Sequence, residues 1–292
     1  MKVLVTGAGG QLGRVITHSF TASHEVVGLT RAELDVTQHL RVLEVVRSLE
    51  PSVIINCAAY NDVDGAESEI VRAMAVNAFA VRSLAAASSC VGATLIHYST
   101  DFVFDGTAHE PYTEEDAPNP QGVYATSKLL GEWFAADVRQ HYVLRVESLF
   151  GASVLGLDES ERSQGSSVDR MANAIMGGRA VRAFIDRTVS PSYVTDVVNA
   201  TSRLLAGTAP AGLYHCVGSG MATWFEVATE LTRCLGKKAR IDPVTTVDVK
   251  LRARRPLFCA LSNAKLASLG IDLPPWQDAV GRYATVRRTI SR

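Results

Sequence analysis

The fold is decided by the N-terminal stretch, which reads Val3-Leu4-Val5-Thr6-Gly7-Ala8-Gly9-Gly10-Gln11-Leu12-Gly13. Its apolar start is typical of a buried strand, and a helical spacing of apolar residues follows from Leu12 onward. Glycines at 7, 10 and 13 permit a tight turn, a close approach of backbone to a pyrophosphate, and close packing of helix on strand. A glycine-rich turn that binds nothing is the alternative. Its position between the first strand and the first helix favours a nucleotide phosphate site at Gly7 and Gly10.

The first half of the chain continues with alternating strand and helix patterns. Apolar, β-branched runs predict further strands at 26–29, 53–55, 94–98 and 142–146. Helical spacing predicts helices at 40–49, 67–90 and 123–136. Such alternation indicates βαβ units around a parallel sheet. The sequence therefore predicts an α/β protein whose residues 1–150 form a Rossmann-type, doubly wound parallel sheet that binds a dinucleotide.

The second half of the chain has a looser pattern. Its polar stretch 156–167 predicts a loop, and prolines break the following sequence into short pieces. Helices are predicted at 168–176, 196–205, 223–235 and 275–288. We expect residues 151–292 to form mainly a smaller C-terminal α/β substrate lobe, with some segments returning to the first domain.

Composition excludes several classes of protein. The 292 residues include 29 basic and 30 acidic side chains, a formal net charge of -1, so no global field favours nucleic acid or an anionic membrane. The longest uncharged stretch is too polar to span a bilayer, and glycines interrupt the N-terminal apolar run too early for a signal peptide. Five cysteines without a C-x-x-C spacing suggest neither a disulfide framework nor a metal site. We expect a cytoplasmic protein.

The end of the second predicted strand bears on the choice of cofactor. Folds that prefer NAD place an acidic residue there to bind the ribose 2′-hydroxyl. This chain has Arg31 at that point, and Glu33 and Asp35 follow only later. Arg31 can pair with a 2′-phosphate, although a solvated surface arginine is an equal alternative. NADPH is therefore favoured, and NADH remains open.

A second motif, Tyr124-Ala125-Thr126-Ser127-Lys128, begins the helix predicted at 123–136. Residues four apart lie on one face of a helix, so the phenol and the ammonium can address one point. A free tyrosine titrates near 10, and a neighbouring cation is expected to lower that pKa. Alone such a pair is common on surface helices. Together with the glycine turn and with Thr100 at a strand end, Tyr124 and Lys128 indicate a catalytic set.

These motifs occur in an order that resembles the extended short-chain dehydrogenase/reductases, and within them the dTDP-4-dehydrorhamnose reductase group. The resemblance covers nearly the whole chain and is carried by the stretches at 3–13, 33–37, 53–60, 63–67, 76–77, 97–106, 120–132, 212–215, 223–226 and 254–256. It implies reduction of the 4-keto group of a dTDP-6-deoxyhexose by NAD(P)H, in deoxysugar biosynthesis.

The resemblance also implies roles for individual residues. Tyr124 would donate a proton to the nascent alkoxide, Thr100 would hydrogen-bond the carbonyl, and Lys128 would orient the nicotinamide ribose and tune Tyr124. Further positions match the cofactor contacts of the family, namely Gly10, Gln11, Leu12, Asp35, Val36, Ala58, Ala59, Tyr60 and Asn77.

Several positions facing the substrate depart from the family. Where the family usually reads Arg-Thr-Ser-Trp-(Val/Leu)-Tyr-Gly, this chain reads Arg145-Val146-Glu147-Ser148-Leu149-Phe150-Gly151, so the aromatic residue against the sugar is absent. Asp101 is followed by Phe102 in place of tyrosine, which removes a hydroxyl from the pocket. Glu147 either contacts a substrate hydroxyl or is a paired structural carboxylate. We expect Thr100, Asp101, Phe102, Glu147 and Leu149 at the sugar.

Four other side chains need an interpretation. Arg255 lies in a basic run that is usually a solvated face, but its Arg-Pro element matches one near the substrate diphosphate in the family, so Arg255 is a candidate phosphate ligand. His97, Trp224 and Trp276 have core spacings, and we expect them to pack inside the protein.

The sequence leaves alternatives to a reductase. These are a non-catalytic NADP-binding regulatory subunit and another sugar-nucleotide-modifying short-chain dehydrogenase, such as an epimerase. The complete set of Thr100, Tyr124 and Lys128 favours the reductase. Its expected partner is a small-molecule sugar nucleotide, with no nucleic acid and no membrane, and a homodimer is left open.

Overall fold

The structure is a computed structural model that describes residues 1–152 and 165–290. The predicted loop at 156–167 lies outside these described residues except for its last three positions. The strands are β1 Lys2–Thr6, β2 Glu25–Leu29, β3 Val53–Asn56, β4 Thr94–Thr100, β5 His141–Val146, β6 Leu149–Phe150, β7 Val181–Phe184, β8 Thr188–Val189, β9 Ser192–Tyr193, β10 Gly212–His215, β11 Ala222–Thr223 and β12 Ile241–Val244. The α-helices are α1 Gln11–Phe20, α2 His39–Leu49, α3 Val63–Ala66, α4 Ile70–Met74, α5 Ala80–Val91, α6 Val123–Ala136, α7 Ser167–Met176, α8 Val194–Ala206, α9 Trp224–Leu235, α10 Ala264–Ser268 and α11 Trp276–Ile290.

Six strands form one parallel sheet in the order β10-β5-β4-β3-β1-β2. Its central strands are apolar on both faces, as expected for a sheet that helices cover on both sides. Helices α1 and α8 cover one face, and α2, α5 and α6 cover the other. The predicted doubly wound sheet is confirmed. The strand order reverses between β1 and β3, and ligands bind at such a crevice in open α/β sheets.

The helix predicted at 67–90 is divided in the structure. A π-helical segment, Ala75–Phe79, separates α4 from α5. Single π turns inside α-helices are rare and are often found at functional sites. Taken together, Ile70–Val91 is long and apolar enough to cross a membrane by length and composition, but half of its most apolar window is buried inside the protein. We interpret it as a core helix, because α5 packs between α2 and α6.

The C-terminal part contributes to both layers of the molecule. Strand β10 completes the main sheet, and α8 packs beside α1. Helices α7, α9 and α11 enclose a second apolar cluster that contains Trp224 and Trp276, which are buried as expected. Three short strand pairs lie outside the main sheet and contribute residues to this cluster, namely β7 with β12, β6 with β9 and β8 with β11. The two-part division at residue 150 remains our proposal.

Candidate active site

A cavity of about 240 Å³ lies at the carboxyl ends of β1, β3, β4 and β5. The cavity is lined by residues of the glycine turn, of the loop after β3, of the end of β4, of α6 and of the end of β5. They are Gly10, Gln11, Leu12, Asn56, Cys57, Ala58, Ala59, Asn61, Tyr98, Ser99, Thr100, Asp101, Tyr124, Lys128, Val146, Ser148 and Leu149. The glycine turn, the catalytic set and three of the five predicted sugar positions, Thr100, Asp101 and Leu149, therefore meet in one place.

The glycine turn has the shape that a pyrophosphate site requires. Gly7 has φ +67°, and a Cβ there would lie 2.5 Å from the backbone nitrogen of Ala58. Gly10 faces open space, where a Cβ would meet nothing closer than 3.4 Å. The side-chain nitrogen of Gln11 is buried and has no hydrogen-bond partner among the described residues. A free donor beside the N-terminus of α1 fits an anionic phosphate, so the site is compatible with a dinucleotide.

Asn77 fixes the loop that follows β3. It lies in the π-helical segment, where its side-chain oxygen accepts a hydrogen bond from the Tyr60 backbone nitrogen at 2.8 Å. Its side-chain nitrogen donates to the Tyr60 carbonyl and to Ser127 Oγ, each at 3.0 Å. Ala58 is held in turn by Asn56, to which its backbone nitrogen donates at 3.2 Å. Because its amide is already engaged, Asn77 positions the loop that follows β3, and a place for this loop beside the cofactor stays a prediction.

Lys128 is buried on α6 and faces the cavity. Its ammonium donates a hydrogen bond to the Tyr98 carbonyl at 2.5 Å. Burial lowers the pKa of Lys128 to about 8. His97, also buried, bonds Asn56 through its ring at 3.1 Å, and burial keeps the pKa of its imidazole well below the usual value. His97 is thus a core residue, as expected.

Tyr124 differs from the sequence-based expectation in its electrostatics. Its pKa is raised, first by removal of the hydroxyl from water and then by the negative charge of Asp101, while a hydrogen bond with Thr100 opposes the rise. Lys128 was expected to lower this pKa, and that expectation is wrong for the protein alone, because the ammonium is directed at Tyr98. Tyr124 therefore keeps its proton at neutral pH.

One residue that the sequence did not single out, Glu67, helps to position Tyr124 by holding the start of α6. The Val123 backbone nitrogen, at the start of α6, donates to the Glu67 carboxylate at 2.9 Å, which caps the helix. Phe102, by contrast, was predicted at the sugar. Its ring packs edge-on against Tyr124, with 5.9 Å between centroids and an interplanar angle of 90°. The motif 124–128 gave no signal for Glu67, because the contact crosses 56 residues.

Ser148 and Leu149 lie in the wall of the cavity, and Leu149 was predicted at the sugar. Ser148 stands where the family usually has tryptophan, and its backbone has φ 47°, a left-handed conformation that bulky residues disfavour. Leu149 is held by pairing of β6 with β9. Glu147 does not line the cavity. It is buried behind it, and its carboxylate accepts a hydrogen bond from the Ser190 backbone nitrogen at 2.7 Å.

The residues predicted around the adenosine ribose lie at the carboxyl end of β2. Arg31 is exposed there. Glu33 bends back to accept hydrogen bonds from the Thr30 backbone nitrogen and hydroxyl, both at 2.8 Å. Asp35 accepts from Thr37 in the same manner at 3.0 and 2.7 Å, while Val36 is buried. Both carboxylates are thus engaged locally, and the exposed guanidinium of Arg31 remains a predicted ligand of a 2′-phosphate.

Arg255 is engaged elsewhere than its predicted role requires. Its guanidinium binds both carboxylate oxygens of Asp64, at 2.9 and 2.8 Å. Such a bidentate ion pair leaves little capacity for a phosphate. Its role as a phosphate ligand therefore stays a prediction that this geometry does not favour.

A second cavity of about 330 Å³ offers another cation. It lies between α7, β7 and Trp224, and Arg170, Arg182 and Arg187 line it. Arg187 has a buried side-chain Nε without a hydrogen-bond partner in the described part of the chain. The positive charge of Arg187 also acts on Asp101, which lines the first cavity. No sequence motif marked Arg187, because neighbouring residues give no sign of a role that only the folded lobe creates.

Comparisons with known proteins agree with this geometry. Residues 1–288 match the family described as RmlD substrate binding domain. The dTDP-4-dehydrorhamnose reductase of Burkholderia thailandensis is 34% identical over 300 residues, which cover 96% of this chain and 97% of that protein. The structure of dTDP-4-dehydrorhamnose reductase from Bacillus anthracis in complex with NADP has a TM-score of 0.89 at 30% identity, covering 97% of this chain and 98% of that chain.

A dTDP-4-dehydrorhamnose reductase structure from Clostridium acetobutylicum has a TM-score of 0.90 at 32% identity, covering 99% of this chain and all of that one (100%). The match runs through both the glycine turn and the C-terminal lobe, as the resemblance in the sequence predicts. The chain belongs to the RmlD substrate binding domain family, which these reductases represent.

Proposed function

We propose that the protein is an NADPH-dependent oxidoreductase that reduces the 4-keto group of a dTDP-6-deoxyhexose in deoxysugar biosynthesis. The observation that carries the proposal is the single cavity in which the glycine turn, Thr100, Tyr124 and Lys128 meet. Membership of the family supports the choice of substrate class. The related reductase from Bacillus anthracis was solved in complex with NADP, which supports the choice of cofactor.

NADPH, when bound, supplies the hydride that reduces the carbonyl carbon. Tyr124 donates its phenolic proton to the carbonyl oxygen, and its raised pKa keeps that proton in place at neutral pH. Thr100 donates a hydrogen bond to the same oxygen. The ammonium of Lys128 uses one hydrogen for Tyr98, so two remain for the nicotinamide ribose. The pyrophosphate is held by Gly10 and Gln11 at the N-terminus of α1.

We assign the nucleoside diphosphate of the substrate to the second cavity. Its arginines supply positive charge, and Trp224 offers an aromatic surface for the base. Arg187 has an unused donor and lies close enough to Asp101 to affect its pKa. A substrate with its diphosphate at Arg187 would therefore extend its sugar toward Thr100 and Tyr124.

We further propose a homodimer and a cytoplasmic location. Ile70, Val71, Phe79 and Trp133 are exposed apolar side chains on α4, the π-helical segment and α6, which adjoin one another. An apolar surface of this kind is suited to a second copy. Trp133→Glu should convert a dimer to a monomer in sedimentation experiments, and a monomeric wild type would contradict the dimer.

The state of the cysteines supports the proposed cytoplasmic location. All five cysteines are free, as in proteins of a reducing compartment.

The decisive experiment measures NADPH oxidation with a dTDP-4-dehydro-6-deoxyhexose and identifies the product by its gain of two hydrogens. Thr100→Val, which is matched in shape, should reduce turnover while NADPH binding persists. Binding of NADPH without turnover on a panel of 4-keto sugar nucleotides would favour the regulatory subunit. Isotope exchange from solvent without consumption of NADPH would favour an epimerase.

A further inference from the structure

A buried acidic cluster lies directly behind Thr100. The polar atoms of Asp101, Glu147 and Cys259 lie within 4.8 Å of one another, and all three residues are buried. One carboxylate oxygen of Glu147 accepts the Ser190 hydrogen bond, but its Oε1 is buried and has no partner in the described ranges. Glu147 matches a serine in the family pattern that the sequence resembles, so the second carboxyl is a departure from that pattern.

The charges that face the two carboxyls do not balance two anions. Among the residues that the structure describes, Arg187 is the cation that acts on both Asp101 and Glu147. Burial raises the pKa of the Cys259 thiol well above its usual value, so Cys259 stays neutral, and Tyr124 on the other side is neutral as well. Two buried carboxylates this close repel each other, and one cation compensates only one of them.

Burial raises the pKa of Asp101 to about 6, and burial together with the Asp101 charge raises the pKa of Glu147 well above its usual value. At neutral pH, therefore, Glu147 carries a proton and Asp101 carries the negative charge. This distribution leaves the cluster with Arg187 close to neutral.

The hydrogen bonds of Thr100 depend on this charge. Its hydroxyl donates to Asp101 Oδ1 at 2.9 Å, and the Phe102 backbone nitrogen donates to the hydroxyl oxygen at 3.3 Å. A threonine hydroxyl has one hydrogen, so while Asp101 is ionised that hydrogen is not available to a substrate carbonyl. If Asp101 were protonated, its carboxyl would donate to the Thr100 oxygen and release the hydroxyl hydrogen.

We propose that Asp101 and Glu147, whose carboxyl oxygens approach within 4.8 Å, hold one proton between them, and that its transfer from the unpartnered Glu147 Oε1 to the Asp101 carboxylate, when these oxygens come into contact, turns the Thr100 hydroxyl toward the substrate carbonyl. The negative charge moves from Asp101 to Glu147 and stays close to Arg187 throughout. Glu147 is then a positioning residue that acts through Asp101. The catalytic part of this inference rests on the proposed reductase function, whereas the protonated carboxyl does not.

Infrared spectroscopy tests the proton without any substrate. A protonated carboxyl has a carbonyl band that a carboxylate lacks and that shifts in heavy water. The wild type at pH 7.5 should show a band that Glu147→Gln removes. Glu226→Gln is the matched control, because it neutralises an exposed glutamate and glutamine also serves in the capping box of α9. If the spectra of the wild type and of Glu147→Gln do not differ in this carbonyl band, the proposal is overturned, whatever the activity of the variant.

The pH dependence of kcat tests the role. In Glu147→Gln no neighbouring proton is available, so Asp101 stays ionised above its own pKa of about 6. At pH 8, two units higher, about one Asp101 in a hundred is protonated, and kcat should fall by about ten-fold to a hundred-fold and recover toward pH 6. The double variant with Asp101→Asn should lose this dependence, because an amide N–H can donate to Thr100 at every pH.

Two results would overturn the role of the pair. One is a uniform loss of kcat in Glu147→Gln, with an unchanged pH profile, since a purely structural defect would do the same. The other is a stoichiometric divalent metal in the purified protein that Glu147→Gln removes, since the three residues would then be metal ligands. A failure of the reductase assay leaves the infrared result intact, so the two proposals can fail separately.

Discussion

Replacement of Tyr124 by phenylalanine removes a single hydroxyl from the proposed active site. The ring would keep its edge-on packing against Phe102, and α6 would keep its cap at Glu67. General acid catalysis contributes about 10²–10⁴-fold to a rate, and each factor of ten corresponds to about 1.36 kcal/mol. We therefore expect Tyr124→Phe to raise the barrier of the chemical step by about 2.7 to 5.4 kcal/mol, with folding stability and NADPH affinity nearly unchanged.

The assay is single-turnover oxidation of bound NADPH, which separates the chemical step from binding and release. NADPH affinity is measured in parallel by fluorescence titration. Tyr142→Phe is a matched control. Tyr142 lies on β5 and does not line the cavity, and its hydroxyl donates to the Ala209 carbonyl at 2.9 Å. The control should lose about 1 kcal/mol of stability and retain its rate.

Near wild-type turnover in Tyr124→Phe, with NADPH still bound, would refute the reasoning. The proton would then come from another group, and the raised pKa of Tyr124 would reflect burial without catalytic use. A large loss of NADPH affinity would contradict it differently, because it would show that the hydroxyl supports the cofactor site.

Three further changes test other parts of the structure. Arg31→Ala should weaken NADPH binding by about ten-fold and leave NADH binding unchanged, and equal affinities of the wild type for both would disprove the role of Arg31. Gly13→Ala would set a Cβ 2.9 Å from the Ala8 Cα and should cost about 1–3 kcal/mol in denaturant unfolding, whereas Gly281→Ala, with open space on α11, should not destabilise. Burial lowers the pKa of His215 to about 3, so the native state stays unprotonated while the unfolded chain gains a proton below pH 6.5. The free energy of unfolding should therefore decrease as the pH is lowered below 6.5, and this residue should account for a loss of about 2 kcal/mol at pH 5. His215→Gln should reduce that loss.

The parts of the site that the sequence predicts are those with a local pattern. Gly7 and Gly10 are required by a turn of a few residues, and Tyr124 and Lys128 are four apart on one helix. Thr100 lies at the carboxyl end of a recognisable strand. Each of these features is encoded by residues within a single turn, helix or strand, so the spacing of the residues reveals it. The parallel order of the strands then brings their carboxyl ends together at one edge of the sheet.

The parts that the sequence missed depend on distant contacts. The family resemblance implies a phosphate ligand at Arg255, yet both terminal nitrogens of its guanidinium donate to Asp64, which lies 191 residues away. Arg187 and Cys259 likewise reach Asp101 only through folding of the C-terminal lobe. The sequence also shows no sign of the π-helical segment at Asn77. An extra residue in one turn shifts the following residues around the helix, but in an alanine-rich stretch this shift does not change the apolar pattern visibly.

Three departures from the family pattern lie in or next to the proposed catalytic site. The glycine turn and the pair of Tyr124 and Lys128 follow the family pattern, whereas Phe102, Glu147 and Ser148 replace its usual residues. Phe102 contacts Tyr124, Glu147 lies behind Asp101, and Ser148 lines the cavity at the position of the family's aromatic residue. We therefore expect any difference in activity from the related reductases to concern the sugar and the pH dependence of its reduction, because the glycine turn keeps the family pattern.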